Sequence, residues 1–452
     1  MSTAPLPDAP PSTAQPFAGE MATALPGPSQ GPRLWAIEAQ GSKPVLAPPA
    51  PPRIWAIEAR RAGDHSQVLG LLERLGEPFE VKRVGLRPFE LLLAPPFVAS
   101  RLGVDPKRSS LLEPPWPDLV VASGREGEAI ARWVRERSKG HTRLVQLGRP
   151  WGGIDAYDLV VTTPQYRLPR RSNVVENPLP LHRVTDAKLA SAAAAWSERL
   201  PPLPRPWLAV LLGGHSLPYV FDAQRARRLA QVVSQRARRM GGALLVTSSK
   251  RTRPAALAAF RGSLAAPAYV FDVQHQDRRD NPFFAFLALA DEIIVTGDSA
   301  SMAAEATATG KPVHLFDLGE GTTSMRSADA PPWFVASDFV PKPKPSVALY
   351  RLVQRLAPAN WSRHLARFHH RLVASGQAVW LGDAPLPRQV MAKDALGEDP
   401  FAPTLTRVRA LLDEARPPPP PPWGAGRPPR PPTPPPPPPP PPPHSPRHTH
   451  AA

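Results

Sequence analysis

From Arg53 onward the chain alternates short apolar runs with longer stretches in which apolar residues recur every three or four positions. The runs Ile54–Ile57, Phe79–Val84, Asp118–Ala122, Arg143–Leu147, Asp158–Thr162 and Asn173–Val175 are short, rich in β-branched residues and followed by turn formers, which predicts strands. Between them, Gln67–Leu75, Glu126–Arg137 and Asp186–Arg199 carry helical spacing. Such alternation predicts a doubly wound parallel sheet. The segment Pro201-Pro202-Leu203-Pro204-Arg205-Pro206 interrupts it, and the pattern restarts with strands at Trp207–Leu212, Ala243–Thr247, Tyr269–Asp272, Glu292–Thr296 and Val313–Asp317. An amphipathic stretch, Trp361–Ser375, and a last helix, Thr404–Ala415, follow. The expected fold is α/β: two Rossmann-like doubly wound parallel-sheet domains facing a cleft. The expected boundaries are 53–200 for the first, 203–395 for the second, and 396–416 for a terminal helix.

Composition trims this picture at both ends. Of 66 prolines in 452 residues, 34 fall in residues 1–52 and 417–452. Both segments are expected to be disordered, the second, with ten consecutive prolines from Pro434 to Pro443, as a passive polyproline tail. The N-terminal segment holds Pro32-Arg33-Leu34-Trp35-Ala36-Ile37-Glu38-Ala39, which recurs at Pro52–Ala59; only the second copy leads into a helical pattern, so a repeat fold is not expected. There is no cysteine, which excludes disulfide scaffolds, thiolate metal sites and cysteine nucleophiles. The most apolar stretch, Phe283–Val295, is broken by Asp291 and Glu292 and is too short to span a bilayer. Residues 1–32 contain no Lys or Arg, so they lack the charged start of a signal peptide, and a cytoplasmic protein is expected.

The formal charge is +17, and nearly all of it belongs to the body between the two proline-rich ends. Only 10 of the 55 basic residues are Lys, and Arg with Ala and Pro enrichment is also what a GC-rich genome produces. No nucleic-acid recognition motif accompanies the charge, so nucleic acid is not an expected partner. Anionic ligands are, together with peripheral contact at the anionic inner face of the membrane.

In open α/β sheets ligands bind beyond the carboxyl ends of the strands, and several junctions here carry suitable residues. After Thr296 come Gly297, Asp298, Ser299 and Ser301, then Glu305, Gly310 and Pro312. Gly297 permits a tight turn, Asp298 or Ser299 can cap a helix whose N-terminus favours an anion, and Glu305 stands about two turns in, where it can accept from ribose hydroxyls. Gly213, Gly214 and Ser216 follow the first strand of the second domain, where glycines let N–H groups approach phosphate oxygens. Ser249, Lys250, Arg251 and Thr252 follow Ala243–Thr247 and offer hydroxyls and cations together. In the first domain Gly63, Asp64, His65 and Gln67 follow the first strand, with His65 and Asp64 the candidate bases or Asp64 a helix cap, and Ser123 and Arg125 follow the third. Each of these loops also reads as an ordinary turn.

The spacing of Glu305, Gly310 and Pro312 resembles that of nucleotide-sugar-binding GT-B glycosyltransferases, and Gly213-Gly214-His215-Ser216 is similar to the diphosphate loop of the lipid-linked cell-wall N-acetylglucosaminyltransferases. Ser248–Arg253, Asn281-Pro282-Phe283 and Asp298–Pro312 together resemble the mitochondrial fission factors named for elongated mitochondria in plants and their bacterial relatives. That resemblance covers about residues 53–380, including Gly63–Gln67, Trp116–Val120, Asn177 and Leu181–Val184. It implies a GT-B-like fold, with an acceptor side in the first domain, a nucleotide side in the second, and Asn281 and Asp298 beside the cleft. The expected function is a glycosyltransferase with a nucleotide-sugar donor and an envelope or lipid-linked acceptor; the alternative is a non-catalytic fission-type adaptor working through protein or membrane contacts. No Asp-x-Asp is present, so no metal is expected, with Lys250, Arg251 and the helix starting near Ser299 facing the diphosphate. No resident cofactor is expected either: neither Ile54–Ile57 nor Trp207–Leu212 is followed by Gly-x-Gly-x-x-Gly, so nicotinamide-dependent epimerase chemistry is not expected.

Overall fold

The computed structural model describes residues 50–85, 104–276, 280–319, 324–326, 363–383 and 399–415, with isolated positions between 347 and 356. The N-terminal segment with the first repeat copy, the polyproline tail, residues 384–398 and Trp361 lie outside the described residues.

Strands β1 (Ile54–Ile57), β2 (Glu80–Lys82), β3 (Leu119–Ser123), β4 (Arg143–Leu147), β5 (Leu159–Thr162) and β6 (Val174–Glu176) form one sheet in the order β2-β1-β3-β4-β5-β6, parallel throughout. A second parallel sheet takes β7 (Trp207–Leu211), β8 (Ala243–Thr247), β9 (Ala268–Phe271), β10 (Glu292–Thr296), β11 (Val313–Phe316) and β12 (Val379–Trp380) in the order β12-β11-β10-β7-β8-β9. Parallel strands covered on both faces must be apolar on both, and every residue of β3 and β8 is buried. The two expected Rossmann-like, doubly wound parallel sheets are therefore present.

The helices are α1 (Ala62–Leu75), α2 (Gly124–Arg137), α3 (Asp186–Ser197), α4 (Ala223–Arg239), α5 (Pro254–Arg261), α6 (Phe283–Leu289), α7 (Ala300–Thr307), α8 (Leu365–Ala374) and α9 (Ala402–Ala415). In α4, Ala226, Leu229, Ala230, Val233 and Ala237 make the buried stripe, while Arg227, Arg238 and Arg239 stay exposed. Among the described residues no helix is long and apolar enough to cross a membrane.

The chain does not keep its halves in strict succession. Helix α3, grouped by the sequence pattern with the first sheet, packs against α6 of the second, and Trp196 meets the edges of Tyr269, Phe271 and Phe286. Helices α8 and α9 then return to the first sheet: His364 donates its N–H to Gln165 O at 2.9 Å, Arg371 pairs with Glu176 at 2.9 Å, and Thr404 Oγ1 donates to Asn177 Oδ1 at 2.7 Å. Helix α1 lies so close to the segment before α3 that a Cβ on Gly70 would stand 2.7 Å from His182 O. Gly70→Ala is expected to destabilise the fold by about 2 kcal/mol through this overpacking, read from the urea unfolding midpoint.

Candidate functional site

In each sheet there is one place where neighbouring strands send their connections in opposite directions: between β1 and β3 in the first, between β7 and β10 in the second. Such switch points leave a crevice at the carboxyl ends of the strands. Helix α1 leaves the carboxyl end of β1, and α7 leaves that of β10. Their first turns meet: a Cβ on Gly63 would be 2.8 Å from Ser301 Oγ, and Ser66 Oγ donates to Glu305 Oε1 at 2.8 Å. The carboxyl edges of the two sheets therefore face each other across this contact.

On the second sheet the loops after β7, β8 and β10 are tied together by Asp298, whose side chain is fully buried. Its carboxylate accepts from Gly214 N–H at 2.8 Å and Thr296 Oγ1 at 2.7 Å, and pairs with Arg251 at 2.8 Å. Gly213 N–H is also taken, by Thr296 Oγ1 at 2.8 Å. Both glycine N–H groups thus point into the protein and not toward a phosphate. The residue type is required for another reason: a Cβ on Gly213 would collide with the Asp298 carboxylate, and one on Gly214 with the Arg251 carbonyl. Ser249 Oγ donates to Gly213 O at 3.0 Å and Thr252 Oγ1 to Leu212 O at 3.1 Å, which fixes the loop from below. Of the two capping candidates, Ser299 caps α7, accepting from Met302 N–H at 3.4 Å. Ser216 lies in a tight turn closed against Tyr219, and Asn281 is exposed, its Oδ1 accepting from Phe283 N–H at the start of α6. Lys250 is exposed, and its charge reaches His65 on the opposite half.

On the first sheet the structure corrects one local expectation. Helix α1 begins at Ala62, so Gly63, Asp64 and His65 form its first turn and not the loop before it. Arg61 is the cap residue and Asp64 makes no cap. The turn escaped the periodicity because it carries no apolar residue larger than alanine. Burial pushes the Asp64 carboxyl above the usual carboxylate range, although Arg363, Arg61 and Arg251 pull it down. His65 is pushed below its usual pKa by burial, with Glu58 opposing and Arg183 and Lys250 adding to the shift. Its Nδ1 has no hydrogen-bond partner among the described residues, so no carboxylate orients that nitrogen. Gln67 Nε2 donates to Gly63 O at 3.3 Å; Ser123 ends β3 and donates to Leu147 O at 3.2 Å; Arg125 opens α2.

Glu305 is buried, and burial raises its carboxyl to about 7 against the hydrogen bond from Ser66 and the charge of Arg183. A hydroxyl from the protein's other half occupies the acceptor that the sequence pattern assigns to a ribose.

Two cations beside this contact were missed in the sequence. Arg363, just before α8, lies 5.7 Å from the Tyr166 ring; burial opposes its charge, but Tyr166, Asp64, Tyr350 and Asp298 outweigh it and hold its pKa up. Arg149, two residues beyond β4, feels both Tyr166 and Arg363. Arg149 follows a strand and a glycine, a readable signal; Arg363 stands far along the chain and has none.

A family model described as mitochondrial fission ELM1 matches residues 62–330, more than half of the chain. The mitochondrial fission protein ELM1 of Arabidopsis thaliana is 27% identical over 222 residues, covering 44% of this chain and 51% of that protein. An uncharacterized protein of Rickettsia prowazekii is 21% identical over 231 residues, covering 44% of this chain and 64% of that one. The chain thus spans about half to just under two thirds of the length of these relatives. Among solved structures, the UDP-GlcNAc 2-epimerase of Neisseria meningitidis bound to UDP-GlcNAc superposes with a TM-score of 0.41 at 12% identity, covering 80% of this chain and 94% of that one. The match from the first turn of α1 to beyond β11 makes this chain a member of the mitochondrial fission ELM1 family.

Proposed function

We propose that the protein binds a nucleotide-sugar between its two halves and transfers the sugar, without a metal, to an envelope or lipid-linked acceptor. One observation carries this reading: the first turns of α1 and α7 meet at the facing carboxyl edges of both sheets. Helix N-termini present unsatisfied N–H groups and a positive dipole end, so a diphosphate entering there is attracted from both sides. In this reading Ser299 and Ser301 meet the diphosphate, and Lys250, Arg251 and Arg363 neutralise the charge that develops on the leaving group. Gly213, held by Ser249 and Thr252, and Gly214, held by Asp298, shape the floor. Glu305 exchanges the Ser66 hydroxyl for a ribose hydroxyl as the halves part. Asp64, whose carboxyl is raised, takes the acceptor proton in preference to His65.

A second reading, a non-catalytic adaptor working through protein or anionic membrane contacts, is favoured by two specific features. Arg251 already has a carboxylate partner, and His65 Nδ1 has no orienting one. The exposed Arg227, Arg238 and Arg239 of α4 would then face the partner or membrane.

Thermal unfolding of the full chain with UDP-, GDP-, CMP- and ADP-sugars separates the readings. At a hundredfold excess over Kd, one of the four is expected to stabilise by about 2–3 kcal/mol, and Glu305→Ala to remove that gain. No shift with any of the four rejects the nucleotide-sugar reading.

A further inference from the structure

A second gathering of cations lies beyond β5, where the chain turns through Pro164–Tyr166 and meets the start of α8. Gln165 O accepts from His364 N–H at 2.9 Å, which brings the two segments together. Arg167, the residue after the turn, donates from its guanidinium to His364 Nε2 at 2.5 Å. Its backbone is left-handed, with φ 52°, a region that residues other than glycine rarely adopt. Arg367 stands in the first turn of α8 and is exposed, while Arg167 and His364 are half-buried, so all three can be reached from water.

The electrostatics of these groups is one-sided. Burial pushes Arg167 below the usual arginine range, and the charge of Arg367 pushes it further. Burial also lowers His364, with Arg167 and Arg367 adding to the shift, which keeps Nε2 a neutral acceptor. Arg363, the residue before His364, and Arg149, whose charge Arg363 opposes, carry the same sign on to the crevice. The flanking Arg171 and Arg371 pair with Asp155 at 2.7 Å and Glu176 at 2.9 Å, which bounds the cluster. Like charges gathered in this way repel, and a half-buried setting screens them less than open water does.

An arginine fork matches the oxygen pairs of carboxylates and phosphates. A carboxylate brings a single negative charge, whereas a phosphate monoester or a pyrophosphate brings about two or more and offsets several cations at once. We infer that Arg167, His364 and Arg367 form a binding site for a phosphate-bearing group of this higher charge, on the first half and apart from the Asp298 loops. Arg167, oriented by His364, takes the phosphate with its fork, and Arg367 closes on it from α8. The inference holds whether or not a nucleotide-sugar enters between α1 and α7.

Calorimetric titration of the full chain with inorganic pyrophosphate tests this, beside flotation with phosphatidylcholine vesicles with and without phosphatidic acid. The double variant Arg167→Gln/Arg367→Gln is expected to weaken binding by about tenfold or more, the loss of two charge-assisted contacts. Lys139→Gln/Arg261→Gln removes the same charge from two exposed positions elsewhere and is expected to change affinity by about twofold or less. The cluster variant relieves repulsion, so its melting temperature is expected to stay level or rise; should it fail to fold, Arg367→Gln alone, at an exposed helix position, is expected to weaken binding by about threefold or more. Pyrophosphate binding without capture by the acidic vesicles assigns the phosphate to a soluble ester, and capture that the cluster variant loses assigns it to a lipid headgroup. Binding of neither probe, an unchanged affinity in the cluster variant, or equal losses in the two double variants would overturn the inference.

Discussion

Asp298→Ala is expected to lower the unfolding free energy by about 3 kcal/mol, the scale for breaking a buried ion pair while leaving its partners behind. The substitution orphans Gly214 N–H, removes the counter-charge of Arg251, and leaves the Arg251 guanidinium and the Thr296 hydroxyl with only longer bonds to His215 O and Leu211 O. Arg251 is one-third exposed and regains some hydration, which keeps the loss at the lower end of that scale. Asp298→Asn, which keeps one acceptor, should fall between. Urea unfolding monitored by tryptophan fluorescence reads the difference. An unchanged midpoint for Asp298→Ala would mean that the three loops are not held by this carboxylate, and the description of the second-half site would fail with it.

Glu305 makes the other large prediction, and its sign is set by where the proton resides. The folded protein keeps the Glu305 proton until about pH 7, whereas the unfolded chain releases it near the usual 4.5. Stability from this group is therefore fully present below about pH 4.5 and is lost as the pH rises through 7. A shift of this size corresponds to roughly 3 kcal/mol at pH 8. Glu305→Gln mimics the protonated form and should be the more stable protein at pH 8 by about that amount, with the gap closing toward pH 4.5. Melting temperatures of both proteins from pH 4.5 to 8.5 test this; parallel curves would show that the carboxyl is not held in a buried contact with Ser66.

The strands were readable because burial on both faces makes their residues mostly apolar: β4 and β10 fall where the apolar runs put them, although β4 also buries Gln146 and β10 Thr296. The helix starts were not, since first turns such as Ala62–His65 and Gly124–Arg125 are solvated or face a crevice and carry no periodic signal. Strand β12, at two residues, is too short to leave a pattern. The return of α9 to the first sheet rests on contacts such as Thr404 with Asn177, between residues far apart in the chain. The same limit governs the site. The junctions at Gly213, Ser249 and Asp298 were visible one at a time from strand–turn–helix chemistry, but their mutual bonding was not, and it turned residues expected to meet a phosphate toward each other. Arg363 enters the crevice only through tertiary folding.

The central claim, that a ligand enters where α1 and α7 meet, is tested most directly by hydrogen–deuterium exchange of the full chain with and without the sugar-nucleotide panel. The account predicts that a binding nucleotide-sugar slows exchange in two separate peptides, residues 62–67 and 298–305. Slowed exchange in neither, or only at sites elsewhere on the two sheets, would contradict it.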